Sequence, residues 1–206
     1  MRIALTCLLL ASAAIAGESE FISLFDGKST DGWKSVGDGT WQVESGLLIG
    51  QSEKHHGKHS VLLTNETYSD FVLQVEFRLA RGNSGIVFRS TPIVSNTSVR
   101  GYQAELDGGK RTGGLFEPAG RQWLVVPHED TVAKHYRPRD WNTMLISASK
   151  GHILVRLNGS TVSEIKDKFG AREGHIGFQL HGGIGSVIEL RKVKVKVLNL
   201  PDGIVR

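Results

Sequence analysis

Apolar and polar residues alternate along Phe71-Val72-Leu73-Gln74-Val75-Glu76-Phe77-Arg78-Leu79, the period of a strand with one face in a core and the other wet. The pattern predicts that Phe71, Leu73, Val75, Phe77 and Leu79 fill the core while Gln74, Glu76 and Arg78 share the other face. Similar short runs recur between glycine-rich turn signals and predict strands over 21–25, 40–44, 47–50, 61–63, 71–79, 85–89, 102–107, 113–116, 141–149, 152–157, 161–165, 175–181 and 187–198. No long helical period follows residue 16. The chain therefore reads as all-β, a single domain made of many short antiparallel strands.

Turn chemistry supports the strand reading. Asn158-Gly159 is the preferred two-residue hairpin turn, with Ile153, Val155 and Leu157 before it and Val162 and Ile165 after it. Gly82-Asn83-Ser84-Gly85 predicts a second tight reversal between paired strands. Residues 117–140 hold Pro118, Pro127 and Pro138 among mixed charges and read as a long loop or lid.

Composition narrows the classes. Arg2, the apolar run over 3–15 and Ala14-Ile15-Ala16 form a secretory leader, residues 1–16, ahead of one domain at 17–206. A secreted or periplasmic protein with no membrane span is expected. Cys7, the only cysteine, lies in that leader, so no disulfide is expected in the domain. The formal charge of +4 is spread along the chain and does not call for nucleic acid. Lys192, Lys194 and Lys196 alternate with valines as a solvated strand face.

Extending the alternation puts Arg89 with Val87, Gln103 and Glu105 with Asp107, and His175 and Gln179 with His181. If these strands are neighbours, one polar floor carries Glu76, Arg89, Glu105, Asp107 and His181. Trp123, in the predicted lid, is a candidate sugar platform, whereas Trp33, Trp41 and Trp141 suit core packing. His55, His56 and His59 form a cluster that reads as solvated loop rather than a metal site, because Gly57 breaks any common helical face.

The chain resembles the 3-keto-disaccharide hydrolase family, formerly a domain of unknown function, over almost the whole mature chain. The resemblance rests on Phe21-Ile22-Ser23-Leu24-Phe25-Asp26-Gly27, Gly32-Trp33, Trp41-Gln42-Val43-Glu44, Leu62-Leu63-Thr64, Tyr68-Ser69-Asp70-Phe71 through Arg78, and Asn83-Ser84-Gly85-Ile86-Val87-Phe88-Arg89. Thr112-Gly113-Gly114-Leu115, Asp140-Trp141-Asn142-Thr143, Leu157-Asn158-Gly159 and Gly177-Phe178-Gln179-Leu180-His181-Gly182 continue it in order. It implies a two-sheet antiparallel jelly roll of the concanavalin A type that acts on a carbohydrate, specifically a glycoside oxidised to a ketone at C3.

A C3 ketone acidifies the C2 hydrogen, so the reaction needs a base and an enolate stabiliser. On this reading His181 or Glu105 takes the C2 proton, Arg89 or a divalent cation stabilises the enolate, and a second carboxylate such as Glu76 assists the leaving group. Gln74, Gln103, Asp107, Trp123 and Gln179 are then substrate contacts. A calcium, magnesium or manganese ion on Glu105, Asp107 and His181 suits oxygen-rich ligation. With no dinucleotide fingerprint in the chain, oxidation of the sugar falls to a separate glycoside 3-oxidoreductase. An ordinary retaining glycosidase finds little support: Glu105-Leu106-Asp107 starts an E-x-D strand, but Lys110 and Arg111 stand where a second carboxylate would follow. A non-catalytic sugar-binding domain is the alternative from another class. No G-x-S-x-G motif supports a serine hydrolase.

Overall fold

The structure, a computed structural model, describes residues 20–54, 58–93, 95 and 98–198. The segment 1–16, expected to be a leader, and His55 and His56 of the histidine cluster lie outside the described residues. Fifteen strands and one short helix are described. The first half holds β1 (Ile22–Ser23), β2 (Trp33–Val36), β3 (Thr40–Glu44), β4 (Leu47–Gln51), β5 (Ser60–Tyr68), β6 (Phe71–Arg81), β7 (Ser84–Ile93) and β8 (Ser98–Leu106). There follow β9 (Leu115–Glu117), β10 (Gln122–Val125), α1 (Glu129–His135), β11 (Asn142–Ser149), β12 (His152–Leu157), β13 (Ser160–Lys166), β14 (Gly174–Leu180) and β15 (Val187–Val197).

The strands form two antiparallel sheets packed face to face. The first runs β13-β12-β11-β6-β15-β4-β3, with β1 also on β15, and the second runs β10-β9-β8-β7-β14-β5-β2. The core lies between them. Phe71, Leu73, Val75 and Phe77 are fully buried from the first sheet, facing Ile86, Phe88, Tyr102, Ile176 and Phe178 of the second. Each such side chain contributes about 1.5–3 kcal/mol by leaving water, so a one-residue slip of β6, which would turn its apolar face outward, is strongly disfavoured.

The Asn158-Gly159 hairpin forms as expected: both residues have positive φ (48° and 88°), and Leu157 pairs with Ser160. Gly82-Asn83-Ser84-Gly85 is not a hairpin. β6 belongs to the first sheet and β7 to the second, so the segment carries the chain across the sandwich. Gly82 adopts φ +78°, and a Cβ there would lie 2.6 Å from Ser186 Oγ.

Residues 117–140 are not an irregular lid either. Strand β10 pairs with β9 as a hairpin that extends the second sheet, and α1 follows it. Arg121 holds the hairpin: its backbone N–H donates to Glu117 Oε2 at 3.0 Å, and its guanidinium donates to both oxygens of Asp167, at 3.0 and 2.6 Å. Trp33 stacks on Phe178 at 5.6 Å and Trp41 tilts against the same ring, as core packing requires. Trp141 does otherwise: Arg78 lies 5.0 Å and Arg191 4.0 Å from its ring centre, both from the outer face of the first sheet.

Candidate functional site

Strands β5, β14, β7 and β8 lie side by side in the second sheet, and their alternation sends one set of side chains inward and another outward. Phe178 and Leu180 go to the core, while Gln179 and, just past the strand, His181 go outward. Tyr102, Ala104 and Leu106 go to the core, while Gln103 and Glu105 go outward. Val61 and Val99 add an apolar margin. The floor belongs to a cavity of about 490 Å³ that also takes in His59 and Asn83, with Phe116, Gln122 and Trp123 of the β9–β10 hairpin as a wall. Trp123 packs edge to face on Phe116 at 5.2 Å, and Arg111 lies 5.4 Å from its ring centre. A second cavity of equal volume is bordered by Asp38, Glu53, Lys54, Lys58 and Arg81, all exposed, and has no aromatic wall or buried carboxyl. Chemistry, not size, therefore singles out the first.

Glu105 is 7 % exposed. Asn83 Nδ2 donates to its Oε1 at 2.5 Å and Gln103 Nε2 to its Oε2 at 2.8 Å. Burial pushes the carboxyl above its ordinary range, opposed by the two amide donors, which favour the ionised form. Such a group can hold or release a proton nearer neutrality than a surface glutamate. Gly85 makes the arrangement fit: it pairs with both Glu105 and Gln179, and its missing side chain leaves room for Gln103 to lie across it.

The two imidazoles meet edge to face, with ring centres 4.6 Å apart. Their hydrogen bonds assign opposite tautomers. The backbone N–H of Gly182 donates to His59 Nδ1 at 3.1 Å, and Gln179 Nε2 lies at 3.1 Å from the same atom, so His59 Nδ1 is unprotonated and its neutral ring carries the hydrogen on Nε2. His181 Nδ1 lies 2.7 Å from the carbonyl of Gly182, which can only accept, so His181 carries a hydrogen on Nδ1, and in the neutral ring the lone pair is on Nε2. Burial and the neighbouring His181 lower the pKa of His59, which keeps that ring neutral. The backbone of His181 is itself pinned: its N–H donates to Asn83 O at 3.2 Å, and its carbonyl accepts from Ser52 Oγ at 3.0 Å.

The predicted floor is thus divided. Glu105, Gln103, Gln179, His181 and Trp123 come together. Arg89 does not join them. The alternation breaks where Arg89 takes φ 47° and the β7–β8 register shifts between Phe88 and Thr91, and the side chain is buried instead. It donates to Ser69 O at 2.6 Å, Lys150 O at 2.7 Å and Asp70 Oδ1 at 2.8 Å, tying two turns together. Glu76 and Gln74 lie on the outer face of the first sheet, where Glu76 accepts from Arg191 and Lys192, each at 2.7 Å. Asp107 falls beyond β8 and closes its own turn, accepting from the N–H of Gly109 at 2.9 Å and the hydroxyl of Thr112 at 3.0 Å.

With Asp107 spent on that turn, Glu105, Asp107 and His181 do not fit a three-ligand cation site, and no cluster of three His, Cys, Asp or Glu side chains suited to a metal occurs among the described residues. His59 and Asn83 were missed as site residues because neither lies on a strand: one immediately precedes β5, the other sits in the crossover between sheets. The only signals were the Gly82-Asn83-Ser84-Gly85 segment itself and a histidine opening an apolar strand.

Comparison with known proteins agrees with this architecture. A 3-keto-disaccharide hydrolase of Bacteroides thetaiotaomicron is 24 % identical, over 87 % of this chain and 79 % of the relative. A candidate glycosyl hydrolase from Parabacteroides distasonis superposes with a TM-score of 0.66 at 22 % identity, over 87 % of this chain and 94 % of that one. The carbohydrate-binding module CBM66 from Bacillus subtilis shares the fold with a TM-score of 0.59 at 19 % identity, over 80 % and 95 % of the two chains. The sequence profile of the 3-keto-α-glucoside-1,2-lyase-like domain matches residues 20–196, and the chain belongs to that family.

Proposed function

We propose that this protein cleaves 3-keto-glycosides in the cavity of the second sheet, by removing the C2 proton and eliminating the C1 substituent, with water then adding to give net hydrolysis. One observation carries the reading: Glu105 is the sole carboxylate among the described residues lining the cavity, and the same cavity is lined by His181, whose neutral ring carries its lone pair on Nε2. Cleavage through an oxocarbenium ion calls for two flanking carboxyl groups. Elimination next to a ketone needs a base and a proton donor to the leaving group, and His181 Nε2 and the buried Glu105 fit those roles. Trp123 offers the apolar face of the sugar a platform, and Gln103 and Gln179 supply amides at the floor. The supply of oxidised sugar by a separate oxidoreductase, and export of the protein through its leader, belong to the same proposal.

The test is turnover of a 3-keto disaccharide or 3-keto aryl glucoside beside the unoxidised parent, with EDTA and added divalent cations in parallel. Cleavage of the keto compound alone is expected, with kcat reduced about 10²- to 10⁴-fold in His181→Ala. Glycan binding with no turnover of either compound would replace the enzyme by a sugar-binding domain, a reading for which Trp123 and its hairpin wall speak.

A further inference from the structure

With Arg89 buried elsewhere and Arg111 set against the ring of Trp123, no lysine or arginine is among the described residues that line the cavity, yet enolisation of a ketone requires something to stabilise the negative charge that collects on its oxygen. His59 answers that requirement. Its Nδ1 is committed to Gly182 and Gln179, so the hydrogen of the neutral ring lies on Nε2. Nε2 has no hydrogen-bond partner among the described residues, and it is not among the buried polar atoms left unbonded, so it is accessible, on a residue that lines the cavity. The same holds for Nε2 of His181. Gly182 thus sets a matched pair in one cavity, an N–H donor on one ring and a lone pair on the other.

We infer that His59 is a catalytic residue of this site, a neutral imidazole that donates its Nε2–H to the C3 oxygen of the substrate as His181 withdraws the C2 proton. The inference rests on the 3-keto reading above. In the first step the C2–H bond breaks, its proton passes to His181 Nε2, and its electron pair forms C2=C3 while the carbonyl π pair moves to O3, where the His59 hydrogen bond shortens. In the second step the O3 pair re-forms the ketone, the C2=C3 pair shifts to C1=C2, and the C1–O bond breaks with its electrons on the leaving oxygen, which takes a proton from the carboxyl of Glu105. A neutral donor suits the task because it keeps its hydrogen through the cycle and does not lower the basicity of the imidazole beside it. Protonation of His59 would do the reverse, placing a hydrogen on Nδ1 against the N–H of Gly182 and a positive charge against His181.

The experiment compares His59→Asn with His59→Gln. Asparagine carries its Oδ1 where Nδ1 stands and can still accept from Gly182 and Gln179, but it offers nothing at the Nε2 position. Glutamine reaches that position with an amide N–H. On a 3-keto aryl glucoside, His59→Asn should lose about 10²- to 10³-fold in kcat with little change in KM and an unchanged thermal midpoint, and exchange of the C2 hydrogen in deuterium oxide should slow by a similar factor. His59→Gln should recover at least about tenfold of the loss. A wild-type rate in His59→Asn, C2 exchange that survives the loss of turnover, or no rescue by glutamine would each overturn the role of His59 while leaving the 3-keto reading standing. If the wild-type protein itself neither cleaves the keto substrate nor exchanges its C2 hydrogen, the parent reading falls and the role of His59 with it.

Discussion

Gly85 shows how a missing side chain builds the site. A Cβ there would lie 2.4 Å from Gln103 Cδ, so Gly85→Ala must push Gln103 off Glu105 and leave that carboxyl with one amide donor instead of two. Overpacking of this kind costs about 1–3 kcal/mol. The expected outcome is a thermal midpoint lowered accordingly and kcat/KM on the keto substrate reduced by about tenfold or more, whereas an undisturbed kcat/KM would show that Gln103 is idle. Strand period alone made Gln103, Glu105, Gln179 and His181 legible as one set, because the strands that carry them keep strict alternation there. It misplaced Arg89 because alternation assumes an unbroken ladder, and one residue with positive φ is enough to redirect a side chain. Gly101, at φ +122° with no Cβ to meet Arg89 O at 2.4 Å, accommodates that break from the next strand. For Asn83 and His59 no period exists to read.

Elements were legible wherever the signal is local. The strand limits over 40–44 and 152–157 agree with β3 and β12. The sheet to which a strand belongs is another matter, since the turn residues between β6 and β7 encode a reversal and say nothing of its partner. The β9–β10 hairpin escaped for a similar reason: it is anchored by Asp167, far along the chain and only 2 % exposed at its side chain. Asp167 also accepts from the hydroxyl of Tyr102 at 2.6 Å, and Tyr102 is pushed up to about 12 by burial and that bond. Arg121→Met should leave this carboxylate without its cation at a cost of about 2–3 kcal/mol, below the usual figure for a fully buried pair because Arg121 is 40 % exposed at its side chain. Since Gln122 and Trp123 ride on the hairpin, KM for the keto substrate should rise as well. Thermal melts and steady-state kinetics on one preparation check both effects, and a stability loss with unchanged KM would remove the hairpin wall from substrate binding.

At the scale of the molecule, the depressed carboxyls decide how the fold responds to acid. Hydrogen bonds from Arg121 hold Asp167 well below the ordinary carboxylate range and lower Glu117 as well. At Glu76 burial pushes upward, but the hydrogen bonds and charges of Lys192 and Arg191 outweigh it and the net direction is also down. A group whose folded pKa is depressed contributes stability that is fully present above its unfolded value, about 4 for these carboxyls, and is lost as pH falls through the folded value. Glu105 runs the opposite way, its raised pKa making the charged form a cost that acid relieves, but it is one group against these three and Asp26, which the backbone N–H groups of Ser29 and Lys28 also lower. The thermal midpoint should therefore decline only gently from about pH 6.5 to 5, where the lowered pKa of the single group His59 makes the unfolded chain the better proton binder, and fall steeply below about 4, as the unfolded chain binds protons that the folded carboxylates resist. Arg121 serves two of the three carboxyls, so Arg121→Met should lower the neutral-pH plateau and flatten the acid limb together. A variant that drops the plateau yet keeps the full acid slope would move the acid response away from the hairpin anchor, to Glu76 and the charged outer face of the first sheet.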